Sequence, residues 1–276
     1  MTTAAVETVR AGELRLAYRE LGSGPPVLLV HGWPTSSYLW RDVMPPIARS
    51  NRVVAIDLPG FGASDKPPGA HYGFELFSSA IDGLLAQLGI DEVALAGHDI
   101  GGPIALHWTL ENPGRATRLA LLNTLVYPEF SDAVLEFVRA CTTPDLREQL
   151  TSPQGLEAAM RLGLADESRL TEEAIAAVQE PFRTDEARRS LADAGVGLEV
   201  ERFAELARRL PSLELPLRVV YGERDRILPD VAETMGRVAR DVPHAVVTAL
   251  PDCGHFLQEE APAEVGELLA EFFRPS

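Results

Sequence analysis

The chain has 276 residues, 46% of them hydrophobic, and a formal charge of −16 from 41 acidic and 25 basic residues. An apolar share close to the globular average, with no biased tract, excludes a disordered or fibrous protein and allows one or two domains. The acid excess repels phosphate backbones and anionic headgroups, which excludes nucleic acid and membrane surfaces as partners and leaves a small-molecule ligand.

Six short apolar runs follow one another along the chain: Pro25 to Val30, Arg52 to Ile56, Glu92 to Ala96, Leu119 to Leu122, Leu217 to Tyr221 and Ala245 to Val247. Runs of this length read as strands buried on both faces. Between them lie apolar residues at three- and four-residue spacing, such as Phe77, Ile81, Leu84, Leu85 and Leu88, the stripe of an amphipathic helix. Strands alternating with helices predict a mostly parallel α/β sheet with helices on both faces. The alternation stops over 126–211, where Ala, Leu, Glu and Arg dominate and no strand-like run occurs, so this segment is expected to be a helical insertion with charged faces turned to solvent. Residues 1–125 and 212–276 then form the core.

No apolar run approaches the roughly 18 residues that span a bilayer. Residues 1–10 show no basic flank with an apolar segment behind it, which points to the cytoplasm. Cys141 and Cys253 are too few for a disulfide framework and belong to no Cys-x-x-Cys or Cys/His cluster. They are expected as buried, idle thiols, with no metal and no cofactor.

The chemistry gathers where strands end. Gly97-His98-Asp99-Ile100-Gly101-Gly102 follows a predicted strand and opens a predicted helix from Pro103 to Glu111. This is the nucleophile-elbow pattern with Asp in the place of Ser; the small residues permit a sharp turn that lifts one side chain clear of the backbone. As an isolated motif it is matched equally well by an Asp that only caps a helix. Two further motifs favour the first reading. Asp225, in Tyr221-Gly222-Glu223-Arg224-Asp225, and His255, in Pro251-Asp252-Cys253-Gly254-His255, stand just past later strands. Nucleophile, acid, base is the chain order of an α/β-hydrolase, and ligands of open α/β sheets bind at the carboxyl ends of strands. His31-Gly32-Trp33-Pro34, after the first buried run, supplies the loop whose Trp33 N–H, with that of Ile100, would form an oxyanion hole.

These four motifs resemble the haloalkane dehalogenase and epoxide hydrolase branch of the α/β-hydrolase superfamily. The resemblance extends through His31 to Trp40, Asp57-Leu58-Pro59-Gly60-Phe61-Gly62, the Asp99 elbow, Asn123-Thr124 and Gly254 to Glu259, and Glu180-Pro181-Phe182 looks like part of the family's helical cap. It implies an α/β-hydrolase fold with an eight-stranded sheet and a cap over 126–211. It also implies a catalytic triad of Asp99, His255 and Asp225, and substrate contacts from His31, Trp33, Asn123, Tyr127 and Gln179.

An Asp nucleophile is anionic without help at neutral pH and suits attack on saturated carbon; on an ester it would give a mixed anhydride of little advantage. Displacement at an alkyl halide, an epoxide or a β-lactone remains, with an alkyl ester on Asp99 hydrolysed by water that His255 activates. Dehalogenase-like chemistry comes first, epoxide or lactone opening second, and a non-catalytic binding protein is the reading of another class. The chain departs from both enzyme patterns: Ile100 stands where dehalogenases commonly carry a halide-binding Trp. From Pro128 to Leu215 there is no Tyr, Trp or His to protonate an opening epoxide. His98, His71, His107 and His244 are expected to be structural or exposed, and Asp252 to be a turn residue.

Overall fold

The computed structural model describes residues 4–275. Its eight strands are β1 (Val6–Ala11), β2 (Leu14–Gly22), β3 (Pro26–Val30), β4 (Arg52–Ile56), β5 (Val93–His98), β6 (Ala116–Leu122), β7 (Leu217–Gly222) and β8 (Val246–Leu250). They form one sheet in the order β1-β2-β4-β3-β5-β6-β7-β8. All pairings from β4 to β8 are parallel, while β1 with β2 and β2 with β4 are antiparallel. The six apolar runs are β3 to β8. The two added strands form an N-terminal hairpin at the sheet edge; β1 is largely exposed and β2 is buried only over Leu16, Ala17 and Tyr18, so a continuous apolar run is the wrong signal for them.

Every residue of β5 is buried, so both faces of the sheet are covered at its centre. Helices Phe74–Gln87 and Gly101–Glu111 pack together and against the sheet, and Pro262–Phe273 packs on the short helix Met44–Ile47. Between β6 and β7 the described chain is wholly helical, running from Asp132–Thr142 to Val200–Arg209. Hydroxyl residues set its helix starts: Ser131, Ser152, Thr171 and Thr184 each accept a backbone N–H of the first turn. Pro144 and Pro153 sit in first turns, where the missing N–H is not needed. Among the described residues no helix is long and apolar enough to cross a membrane.

The segments that follow β3 and β8 are joined by a buried ion pair between Arg41 and Glu259, the latter in the short helix Leu257–Glu260. Arg41 donates Nη1 to Glu259 Oε1 and Nη2 to Oε2, each at 2.6 Å, with side chains 11% and 4% exposed. Burial disfavours the guanidinium, but Glu259 outweighs it and raises the Arg41 pKa further. Breaking one side strands a buried charge. Arg41→Ala is expected to lose about 3–5 kcal/mol in urea unfolding, whereas Arg41→Met combined with Glu259→Leu loses far less. Equal losses would assign the effect to packing.

Candidate active site

The local chain path places Asp99. It follows β5 at φ +52°, in the left-handed region that an L-residue adopts at a cost. Hydrogen bonds hold it there: its N–H reaches the carbonyls of Leu122 and Asn123 at 3.3 and 3.2 Å, and its carbonyl accepts from Gly102 N–H and Thr124 Oγ1. A Cβ on Gly97 would collide with the Gly101 carbonyl, and one on Gly32 with the Asp99 side chain. Both crowded positions are therefore glycine.

The Asp99 side chain meets the two amides expected of an oxyanion hole. Trp33 N–H donates to Oδ2 at 2.8 Å, and Ile100 N–H also hydrogen-bonds the carboxyl. Oδ1 lies 3.9 Å from His255 Nε2, beyond hydrogen-bond distance. Burial pushes the Asp99 carboxyl above the ordinary carboxylate value, against the opposing pull of His255 and the two amides. The carboxylate is thus poorly solvated, with one oxygen fixed and the other facing the imidazole.

His255 is held from its far side. Its Nδ1 lies 2.8 Å from Asp225 Oδ2, and both side chains are buried. Asp225 Oδ1 accepts the N–H groups of Ile227 and Leu228 at 2.8 Å each, while Oδ2 also accepts Asn123 Nδ2 at 2.7 Å. Burial alone would raise Asp225, but His255 and these donors bring it below the usual value. For His255 burial acts downward, and Asp225 with Asp99 overcomes it, so its pKa is raised. Asp252 is at the surface, paired with Arg224 at 2.8 Å.

His98 packs its ring 4.8 Å from that of His255 and bonds the His255 carbonyl through Nε2 at 2.8 Å. Burial, helped by His255, pushes it down to about 3, so it stays neutral. His107 bonds Ser78, His244 bonds the Leu215 carbonyl, and His71 pairs with Glu199 at the surface. Cys141 and Cys253 are free and buried, and burial pushes their thiols up to about 12 and about 11. No group of His, Cys, Asp and Glu able to hold a metal occurs among the described residues.

A cavity of about 770 Å³ opens above Asp99, Trp33, Ile100 and His255, with Phe130, Phe137 and Phe203 among its apolar walls. Of the five residues expected to touch substrate, Trp33 alone lines it. His31 accepts Leu58 N–H at Nε2 and faces the Gly32 carbonyl with Nδ1, pinning the loop from beneath. Asn123, at φ +34°, braces Asp225 and accepts Gly222 N–H at 2.9 Å. The Tyr127 hydroxyl donates to Asp241 at 2.8 Å, with the Arg237 guanidinium 3.8 Å over its ring. Gln179 donates to the Pro153 carbonyl. Each polar side chain found a partner in its own chain, which sequence position does not reveal. One of the phenylalanine walls has a local signature in the sequence: Ala133, Val134, Phe137, Val138, Ala140 and Cys141 form one apolar stripe on helix Asp132–Thr142.

Known proteins share this architecture. The chain is 29% identical over 263 residues to Haloalkane dehalogenase 2 of Mycobacterium bovis, a match covering 94% of this chain and 91% of that protein. It is 28% identical over 300 residues to Bifunctional epoxide hydrolase 2 of Sus scrofa, covering 94% of this chain and 53% of that one. The crystal structure of haloalkane dehalogenase DbeA from Bradyrhizobium elkani superposes with a TM-score of 0.85 at 27% identity, covering 97% of each chain. The profile of the alpha/beta hydrolase fold matches residues 25–262, from β3 to the first residue of the last helix, and the chain belongs to that family.

Proposed function

We propose that this protein is a hydrolase that opens small apolar electrophiles through a covalent ester on Asp99, with carbon–halogen hydrolysis as its reaction. The observation that carries the reading is the Asp99 carboxylate itself, lifted into an apolar cavity with both loop amides on it and the buried His255–Asp225 pair alongside. Oδ1 attacks the carbon, the carbon–halogen bond breaks, and halide leaves with the electron pair. Water then attacks Cγ of the ester while His255 Nε2 takes its proton. The carbonyl oxygen becomes an oxyanion where Trp33 N–H and Ile100 N–H already point. Collapse releases the alcohol and restores Asp99; the balance needs water and no cofactor. Residues 126–211 serve as the cap that keeps bulk water from the ester.

Similarity to an epoxide hydrolase supports opening of an epoxide or β-lactone as the second reading, and it shares the first bond made. One experiment addresses these readings and a non-catalytic binder together. His255→Phe is incubated with a bromoalkane, an aryl epoxide and a β-lactone, and the intact mass is recorded. A stable increment on Asp99 equal to the added group is expected. Binding of these compounds without any increment would sink the covalent mechanism.

The raised His255 pKa gives the pH profile its sign. The base works only as neutral imidazole, so turnover should fall as pH drops through a value above the ordinary 6.5. Asp225→Asn removes the charge that favours imidazolium. Its acid limb should move to lower pH while the plateau drops by about 10²–10⁴-fold from lost orientation. A profile flat down to pH 4 in the wild type would contradict the role of His255.

A further inference from the structure

One helix of the insertion ends against the loop that carries His255. The last turn of a helix leaves carbonyls that no intrahelical N–H reaches, and at the end of Pro153–Gly163 donors from the strand-end loops take up the carbonyls over 161–164. Gly163 O accepts the backbone N–H of His255 at 2.6 Å and that of Phe256 at 3.4 Å. Arg226, the neighbour of Asp225, donates Nη2 to the carbonyls of Arg161 at 3.1 Å and Leu164 at 2.6 Å. A cation there also complements the dipole of the helix C-terminus. Glu260 adds a further tie, accepting Asp166 N–H at 2.9 Å through Oε1 and Gly254 N–H at 2.6 Å through Oε2.

Two glycines allow this approach. A Cβ on Gly163, a helical position where glycine costs stability relative to alanine, would collide with the Phe256 ring, and one on Gly254 would collide with the Gly163 carbonyl. The contact reaches the acid as well as the base. Asp225 Oδ1 accepts the N–H groups of Ile227 and Leu228, so Arg226 projects from the same tight turn that fixes the Asp225 carboxylate. Asp99 is held differently: the hydrogen bonds that fix it come from residues 33–124, ahead of the insertion.

Resting on the covalent reading above, we propose that Arg226 is a positioning residue for the second half of the reaction: it seats the helical insertion on the His255 loop, so that the base stands over the ester only while helix Pro153–Gly163 is docked. Formation of the ester from an alkyl halide uses Asp99 and moves no proton. Hydrolysis of the ester needs His255 Nε2 to meet a water. That nitrogen stands 3.9 Å from Asp99 Oδ1, on a residue whose own N–H is bound to the insertion. Loosening the tie therefore separates two steps that general disruption of the site would slow together.

Arg226→Met keeps the aliphatic stem and deletes both hydrogen bonds; the side chain is 47% exposed, so the change opens no buried cavity. With a primary bromoalkane and intact mass read against time, the ester should form at the wild-type rate and disappear about 10–10²-fold more slowly, the cost of a small misplacement of a catalytic group. Arg226→Lys should recover most of the hydrolysis rate, because a single nitrogen makes both bonds in the parent and an ammonium carries three donors. Hydrogen exchange at the His255 and Phe256 amides should quicken several-fold in Arg226→Met and slow again in Arg226→Lys. Arg226 also lines the cavity, and a role in holding substrate would slow ester formation instead. Slower ester formation, ester hydrolysis at the wild-type rate, no recovery in Arg226→Lys, or unchanged amide exchange would each overturn the proposal. Faster exchange of these amides in Arg226→Met, with no ester from any electrophile in His255→Phe, would keep the tie to the His255 loop and remove the covalent reading.

Discussion

A carboxylate costs several kcal/mol to bring into a dry apolar site unless hydrogen bonds meet its charge. The carboxyl ends of the strands are organised around that constraint, twice over. Asp225 is satisfied four ways, by two backbone amides, Asn123 and His255, and is held below the usual carboxylate range. Asp99 has two amides on its carboxyl, leaves one oxygen facing His255 at 3.9 Å, and is held above that range. Two carboxylates flanking one imidazole thus have opposite environments. Asp225 is buried but fully hydrogen-bonded and fixes the His255 ring, whereas Asp99 keeps one oxygen without a hydrogen bond.

Much of the surrounding structure keeps these groups in place. His31 pins the Trp33 loop to Leu58, His98 bonds the carbonyl of His255, and the Arg41–Glu259 pair ties the segments after β3 and β8 to each other. The last of these is a buried charge pair whose removal as a unit is expected to cost little, so geometry between the two segments is its stronger role. Apolar walls from the helical segment complete the cavity and lower its dielectric, which strengthens every hydrogen bond to charge inside it.

The elements legible in the chain were those with a dense local signal. Runs of four to six apolar residues located β3 to β8, and glycines around Asp99 marked a turn too tight for side chains. The N-terminal hairpin is largely exposed in β1 and buried over only three residues of β2, too little for a buried-run criterion to find it. The surroundings of the expected substrate contacts were not legible for a different reason. His31, Asn123, Tyr127 and Gln179 are polar residues near the right strand ends or helices, and each turns to a partner tens of residues away in sequence.

The sequence by itself determined the fold class, the four strand-end motifs, the aspartate at the elbow and the absence of Tyr, Trp and His over 128–215, because each is a matter of composition, period or local spacing. Tertiary structure decided which carboxylate meets His255, since Asp225 and Asp252 are both near candidates in sequence while only Asp225 lies at 2.8 Å. It also decided that the Trp33 indole N–H, packed against Gly195, is left without a partner. Hydrogen-bond satisfaction depends on atoms brought together from distant parts of the chain, and a linear pattern does not encode which donor is left over.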